Sequence, residues 1–290
     1  MRGITLDNTK LVSVIIPTYN REKTIVDSIN SVLKQSYENI EVLVIDDGST
    51  DNTRLMIDNI RDYRVKYFYQ KNAGACSARN YGINLSKGYY IAFQDSDDIW
   101  MQNKIEEQIK LLEKTHSDIC ACSMSVYDNG IYIKDIPDSS HSSIDFNTLF
   151  AENFISTQML LYKSDALRNF KFDIGLPRLQ DWDFVLNLLL NDFKFCFVNK
   201  NLVKQYISSD SISRNKDALV DAFSIIENKY SCINTSNKSY SRFYYNYANA
   251  LHDAGLFKDA AIRYWFSFIK YPNYKAFFKS IITYVSSFIK

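Results

Sequence analysis

The sequence predicts an α/β domain, a mostly parallel sheet flanked by helices, with a C-terminal helical appendage. Three observations carry this. Strand-like and helix-like runs alternate through residues 11–93, the pattern of parallel strands joined by right-handed crossovers. Aspartates stand directly behind those strand-like runs. Beyond Tyr206 the composition turns to Tyr, Phe, Lys and Asn in segments of helical spacing.

The elements follow in order. LVSVII at residues 11–16 is a strand stopped by Pro17, and a Thr-Tyr-Asn turn leads to a helix over 22–35, where Ile25, Ile29, Val32 and Leu33 share one face. IEVLVI at 40–45 is almost continuously apolar, as expected of a strand covered on both sides. After Asp46-Asp47-Gly48-Ser49-Thr50-Asp51 comes an amphipathic helix to about residue 60, then a strand at 65–69. Residues 72–86 carry Gly74, Ala75, Ala78 and Gly82, a small-residue helix able to approach a neighbour or ligand closely. Residues 89–93 form a fourth strand, and Asp95, Asp97 and Asp98 follow it before a helix over 99–114.

Carboxylates this close repel one another unless a cation or hydrogen-bond donors compensate them. A divalent metal carrying phosphate would do so, and hard oxygen donors suit Mg²⁺ or Mn²⁺. A helix N-terminus would also favour the charge. In parallel sheets ligands sit beyond the carboxyl ends of the strands, so Pro17-Thr18-Tyr19, Asp46-Asp47 and Asp95-Ser96-Asp97 are expected on one rim.

Composition narrows the classes. With 290 residues and 46% hydrophobic content the chain can bury a large core. A net charge of +1 argues against a nucleic-acid binder. No apolar signal-peptide core precedes the first strand, and no apolar run is long and charge-free enough to span a bilayer, so a cytoplasmic location is expected. Five cysteines lack metal-ligand spacing and suit a reducing compartment, with Cys120 and Cys122 on one face of a buried strand. Three histidines are too scattered for a zinc site or a triad.

VSVIIPTYN (12–20), EVLVIDDGSTD (41–51), NAGACSARNYGI (72–83), GYYIAFQDSDD (88–98) and LQDWDF (179–184) resemble, in this order, the motifs of inverting family 2 glycosyltransferases with a GT-A type fold. The resemblance implies a catalytic domain over residues 1–210, with 211–290 as the helical region. It also implies a nucleotide-diphospho-sugar donor, UDP favoured, and a saccharide or lipid-linked saccharide acceptor, in synthesis of a bacterial O-antigen, capsule or exopolysaccharide. A non-catalytic nucleotide-sugar-binding or scaffolding protein of the same fold is one alternative. A sugar-nucleotide pyrophosphorylase is another, although PTYNREKT lacks the glycine-rich phosphate loop that enzyme would carry.

By the same resemblance Tyr19 and Asp47 contact the base, with Pro17 and Thr18 offering backbone groups. Either Asp46 or Asp47 caps the turn and leaves the other for the ligand. Asp97 is the metal ligand, and Asp95 with Ser96 supports the ribose or the metal. Asp98 either joins them or caps a helix. Arg79 binds diphosphate, and Asn80 contacts donor or holds a rim loop. Asp181 aligns with the catalytic base, in a Gln180-Asp181 pair where the family more often has Glu-Asp. Gln180 and Trp182 are acceptor-side candidates, Trp182 alternatively packing in the core. Asp183 is expected to act as a first-turn dipole partner.

Residues 138–143, with His141, would supply an acceptor-side loop. Four helices are expected over 217–229, 240–253, 258–270 and 275–288, the middle pair resembling one tetratricopeptide-type hairpin. The last is basic, aromatic and amphipathic. It either packs on its neighbours or lies at the inner face of the cytoplasmic membrane as a peripheral contact.

Overall fold

The computed structural model describes residues 9–137, 144–207 and 215–288. The first half of the chain runs β1 Val12–Thr18, α1 Ile25–Leu33, β2 Ile40–Asp46, α2 Thr53–Asp58, β3 Val65–Tyr69, α3 Ala75–Leu85, β4 Tyr90–Phe93, β5 Ile99–Trp100, α4 Lys104–Thr115, β6 Ile119–Asp128 and β7 Ile131–Ile136. Then come α5 Phe146–Ala151, β8 Leu160–Lys163, α6 Ser164–Leu167, α7 Gln180–Leu190 and β9 Phe195–Ile207. Four helices end it: α8 Lys216–Tyr230, α9 Asn237–Asp253, α10 Phe257–Lys270 and α11 Tyr274–Ser286. The acceptor-side loop with His141 lies outside the described residues.

By packing the chain divides into two compact units. The first comprises Met1–Ile144, Ile155–Ile174 and Asn187–Ser209, and the second Asp145–Phe154, Gly175–Leu186 and Asp210–Lys290.

In the first unit all the described strands join one sheet in the order β3-β2-β1-β4-β8-β6-β9-β5, with β7 paired to β6. The expected α/β architecture is present, and its sheet is mixed. β3, β2, β1 and β4 are parallel, as are β6 and β9, while β8, β5 and β7 pair antiparallel. Because β1, β2, β3 and β4 run the same way, their carboxyl ends form one rim. β1 and β2 are buried along their whole length, which is why their sequences do not alternate.

Three expectations need correcting. Pro17 does not stop β1, which continues to Thr18. Its pairing with β4 ends at Ile15↔Phe93, so the residue without an N–H falls beyond the last shared rung. Ile99 and Trp100 are not helical but form β5 against Lys204 and Val203 of β9, and α4 starts at Lys104 behind Asn103. The strands β7, β8 and β9 were not expected. In β9 the periodicity is broken by Asn199-Lys200-Asn201, where the pairing with β6 shifts register between Cys122 and Met124.

Helix α3 lies close on β1. A Cβ on Gly82 would come within 2.4 Å of Ile15 Cγ2, so this position of the small-residue helix has no room for a side chain. Cys120 and Cys122 are fully buried in β6, as their alternation suggested.

In the second unit Trp182 of α7 is enclosed by Phe223 of α8 and Phe243 of α9, with ring centroids 5.7 and 5.9 Å away, and Phe150 of α5 stacks on Phe243 at 4.8 Å. The Trp182 indole N–H donates to the Leu149 carbonyl at 2.7 Å. Asp183 is drawn inside, accepting from Lys229 Nζ and Tyr230 Oη, each at 2.8 Å. It therefore ties α7 to α8 rather than serving only the first-turn dipole. The four C-terminal helices form where expected. No helix among the described residues is long and apolar enough to cross a membrane.

Lys104 on α4 is wholly buried, its Nζ donating to Gln108 Oε1 at 2.8 Å and lying 3.9 Å from the Trp100 ring centroid. Burial disfavours the charged ammonium and lowers its pKa to about 8, against 10.5 for an ordinary lysine. Between those two values the unfolded chain holds a proton that the folded chain has released, so stability rises with pH across that window. Urea titrations should show this rise in the wild type, by roughly 3 kcal/mol, and not in Lys104→Met.

Candidate active site

The rim is assembled by two loops that fasten each other. Asn20 adopts a left-handed backbone (φ 51°). Its N–H donates to Ser49 Oγ at 2.9 Å, and its Oδ1 accepts from Thr50 N at 2.8 Å. Arg21 N donates to Thr53 Oγ1 at 2.7 Å and Glu22 N to Asp51 Oδ2 at 3.1 Å, while Glu22 Oε2 accepts from Asn52 N at 3.0 Å. The TYNRE and DGSTD motifs thus supply partners for each other's exposed backbone groups. Gly48 is required at the crossing: its φ is +84°, and a Cβ there would sit 2.9 Å from Asn72 N.

Both acids at the end of β2 are used by the fold. Asp46 accepts from Ser49 N at 2.8 Å and Tyr67 Oη at 2.7 Å. Asp47, 4% exposed, accepts from Gln70 Nε2 at 2.6 Å and from the backbone N–H groups of Ala73 and Gly74 at 2.8 Å each. The expectation that one acid caps the turn and the other stands open to ligand is therefore not met. Asp46 does the capping, and Asp47 sets the turn from which α3 starts.

Helix α3 then carries Arg79 to the acids behind β4, its Nη2 standing 2.9 Å from Asp95 Oδ1. The neighbouring Asn80 meets the second of its two expectations, holding a chain segment. Its side chain bonds the Phe172 backbone in both senses, Nδ2 to the carbonyl at 2.9 Å and Oδ1 from the N–H at 2.8 Å, so its amide is consumed in holding that segment.

The Asp95–Asp98 turn is pinned from inside. Ser28 Oγ donates to the Asp95 carbonyl at 2.8 Å, and Gln94 Nε2 to the Asp98 carbonyl at 2.6 Å. Asp98 is buried, accepting from Gln158 Nε2 at 2.8 Å and Tyr206 N at 2.9 Å, and burial pushes its carboxyl well above the ordinary range. It is neither a helix cap nor part of the solvent-facing pair. Ser96 is buried within the turn.

Asp97 faces Arg21, whose Nε is 3.4 Å from its Oδ2. Burial and the charge of Asp95 raise its pKa, and Arg21 only partly offsets them. At the end of β1 the Tyr19 ring is 44% exposed, while the Thr18 hydroxyl is buried with no hydrogen-bond partner among the described residues. Such an orphaned hydroxyl costs about 1–3 kcal/mol, which a bonded ligand would offset.

Among the described residues no three acidic, histidine or cysteine side chains converge as a metal-binding group. What the rim offers is two partly exposed carboxylates, Asp95 and Asp97, with incompletely balanced charge. That donor set fits Mg²⁺ or Mn²⁺, which bind through one or two carboxylates and take their other ligands from water and phosphate.

Asp181 belongs to the second unit, at the start of α7 behind Leu179, which has a φ of +61°. Its Oδ1 accepts from Trp182 N at 2.8 Å and from Asn153 Nδ2 at 3.5 Å, and it is partly exposed. Arg178 is nearby. Burial lowers its pKa, against the opposing charge of Asp181. Gln180 donates to the Leu176 carbonyl at 3.0 Å. Trp182, 1% exposed, packs in the core and is unavailable to an acceptor, because its indole is enclosed by the aromatic cluster of α8 and α9.

Sequence reasoning missed Arg21, Ser28, Gln94 and Gln158. Arg21 could have been found as the cation directly behind the Tyr-Asn turn. The others are neutral side chains: Ser28 and Gln158 matter through partners 60 or more residues away, Asp95 and Asp98, and Gln94 through the Asp98 carbonyl of its own turn.

The chain is similar over residues 13–170 to the family described as glycosyl transferase family 2. It is 36% identical over 210 residues to the Escherichia coli UDP-Glc:alpha-D-GlcNAc-diphosphoundecaprenol beta-1,3-glucosyltransferase WfgD, covering 71% of this chain and 81% of that protein. It is 31% identical to glycosyltransferase GlyG of Streptococcus pneumoniae, over 76% of this chain and 78% of that one. Among solved structures, S. aureus TarS residues 1–349 in complex with UDP-GlcNAc superposes with a TM-score of 0.71 at 20% identity, covering 94% of this chain and 89% of that one. A Pyrobaculum calidifontis mannosyltransferase in complex with GDP-Man and Mn²⁺ superposes with a TM-score of 0.64 at 16% identity, covering 98% and 82%. These two likenesses are of fold.

The Asp47 arrangement makes a prediction. Asp47→Asn replaces one accepting oxygen by an amide that must face a donor, so stability should fall by about 1–3 kcal/mol in urea unfolding. An unchanged midpoint would mean that these bonds do not hold the turn before α3.

Proposed function

Because the chain belongs to glycosyl transferase family 2, we propose that it uses a UDP-sugar, UDP-glucose foremost, to glycosylate a hydroxyl of a lipid-linked saccharide with inversion. That it is a glycosyltransferase using a nucleotide-sugar donor follows from its family and its relatives. The donor and acceptor are argued from the names of WfgD and of a second E. coli relative, both beta-1,3-glucosyltransferases using UDP-Glc. The sugar of UDP-glucose is α-linked, so a β-glucosyl product implies inversion. The product would enter a bacterial cell-surface polysaccharide, with the enzyme at the cytoplasmic face of the membrane.

The observation that carries the reading is the solvent-facing pair Asp95 and Asp97, flanked by Arg79 and Arg21, on the rim behind four parallel strands. Asp97, with Asp95 beside it, would hold Mg²⁺ or Mn²⁺, which when bound supplies Lewis-acid stabilisation of the departing diphosphate. Arg79 and Arg21 contribute further positive charge to that group. The exposed Tyr19 ring offers a face to the base, the Thr18 hydroxyl finds its missing partner on the donor, and Pro17 contributes a backbone carbonyl. Asp47 acts through the Ala73-Gly74 turn that it fixes, and Ser96 through the turn bearing the acids.

Asp181 is the base. Its carboxylate takes the proton of the acceptor hydroxyl as that oxygen forms a bond to the anomeric carbon, while the bond from that carbon to the phosphate oxygen breaks and its electron pair leaves with UDP. Gln180, next to it, is the neutral counterpart of the family's usual Glu and is assigned to acceptor contact.

Two substitutions test these roles. Asp181→Asn should retain UDP-glucose binding, read as a thermal shift, while transfer falls by about a hundredfold or more. Unchanged transfer removes the base assignment. Asp97→Asn should abolish the additional thermal shift that Mn²⁺ gives with UDP-glucose, and an equal shift in variant and wild type would remove the metal role.

A further inference from the structure

We propose that the outward faces of α10 and α11 form a docking surface for an anionic lipid bilayer. This deepens the lipid-linked acceptor reading above, and rests on it for its biological sense. The observation is that α11 is packed the opposite way from an ordinary amphipathic helix. Its buried residues are Ala276, Ser280 and Thr283, with Ser280 Oγ donating to the Ala261 carbonyl of α10 at 3.1 Å. Its bulky apolar side chains point outward, Phe278 being 58% exposed and Ile282 64%, and Phe288 just beyond its end is 67% exposed. On α10 the buried set is Ala260, Ala261, Tyr264 and Ser267, and Trp265 and Ile269 are exposed.

Exposed Trp265 and Phe278 are joined through the half-buried rings of Phe268 and Phe277. Trp265 and Phe268 meet Phe277 across the two helices, with centroids 6.3 and 5.2 Å apart, and Phe277 meets Phe278 at 5.5 Å. At the other end Lys258 of α10 lies 5.9 Å from the ring of Phe288. An aromatic cluster bridging two helices, with further exposed apolar side chains on both, is more than scattered surface hydrophobes account for, and it marks an interaction surface.

Charge selects the occupant. Asp259, exposed in the first turn of α10, is the last acid of the sequence, and residues 260–290 contain Arg263, Lys270, Lys275, Lys279 and Lys290 with no Asp or Glu. Arg263 is paired with Glu227 at 2.9 Å. Lys279 is turned to Asn249 and Tyr264, but Lys270 and Lys275 are exposed beside the exposed Tyr271 and Tyr274 at the turn between the helices. Aromatic and aliphatic side chains with Lys and Tyr at the margin, and no acid beyond Asp259 at the start of α10, match an anionic lipid interface. The apolar groups enter the acyl boundary and the ammonium groups meet phosphate.

The test is sedimentation with vesicles of phosphatidylcholine alone or mixed with phosphatidylglycerol, together with tryptophan emission. Trp100 and Trp182 are already buried, so a blue shift reports Trp265. The wild type should pellet with the anionic vesicles and shift to the blue. The double variant Phe278→Glu/Ile282→Glu, its fold checked by circular dichroism, should bind about tenfold more weakly or worse. No pelleting of the wild type, equal pelleting of the variant, or a vesicle-free dimer that the same variant dissociates would each overturn the proposal. Binding is measured without donor or acceptor, so its failure leaves the transferase reading standing, and failed transfer leaves this one standing.

Discussion

Three carboxylates within four residues, at the end of a buried strand, are the constraint around which the first unit is organised. Held without compensation, such a group would neutralise itself by protonation or unfold its turn. The fold deals with each acid differently. Asp98 is taken inside and bonded by Gln158 and the Tyr206 backbone, Asp95 meets Arg79 at 2.9 Å, and Asp97, no more exposed than Asp95, has Arg21 only at 3.4 Å. The least compensated acid is the one assigned to the cation.

The positioning of that turn extends through most of the rim. Arg79 reaches Asp95 because α3 starts directly behind Gly74, and the turn before it is held by Asp47. Arg21 reaches Asp97 because its own N–H is fixed on Thr53 in the interlocked loops behind β1 and β2. Side chains that family resemblance associates with the donor thus have a second task, setting the geometry in which the exposed groups work. A carboxylate that accepts two or three backbone N–H groups is a rigid fixture.

The second unit shows the same economy with aromatic side chains. Trp182 and Asp183, adjacent to the candidate base, are spent on the core and on α8, so the start of α7 is anchored by one indole and one ion pair. Farther on, the buried residues of α10 and α11 are mostly small or hydroxyl-bearing, Ala260, Ala261, Ser267, Ala276, Ser280 and Thr283 among them, which leaves several large side chains on the outside.

The sequence by itself determined the alternating strands and helices up to β4, the collection of acids on one rim and the C-terminal helices, because periodicity and strand-end position are local properties. It did not determine β7, β8 and β9, whose pairing is long-range and, in β9, interrupted by a register shift. Nor could it assign roles among neighbouring acids. Asp46, Asp47, Asp95, Asp97, Asp98 and Asp183 are the same residue type, and what separates them is which donors tertiary packing brings to each: two backbone amides for Asp47, Gln158 for Asp98, Lys229 for Asp183. Likewise the spacing of α11 revealed an apolar face, but only packing decided that this face turns outward, since small residues allowed the closer helix contact on the opposite side.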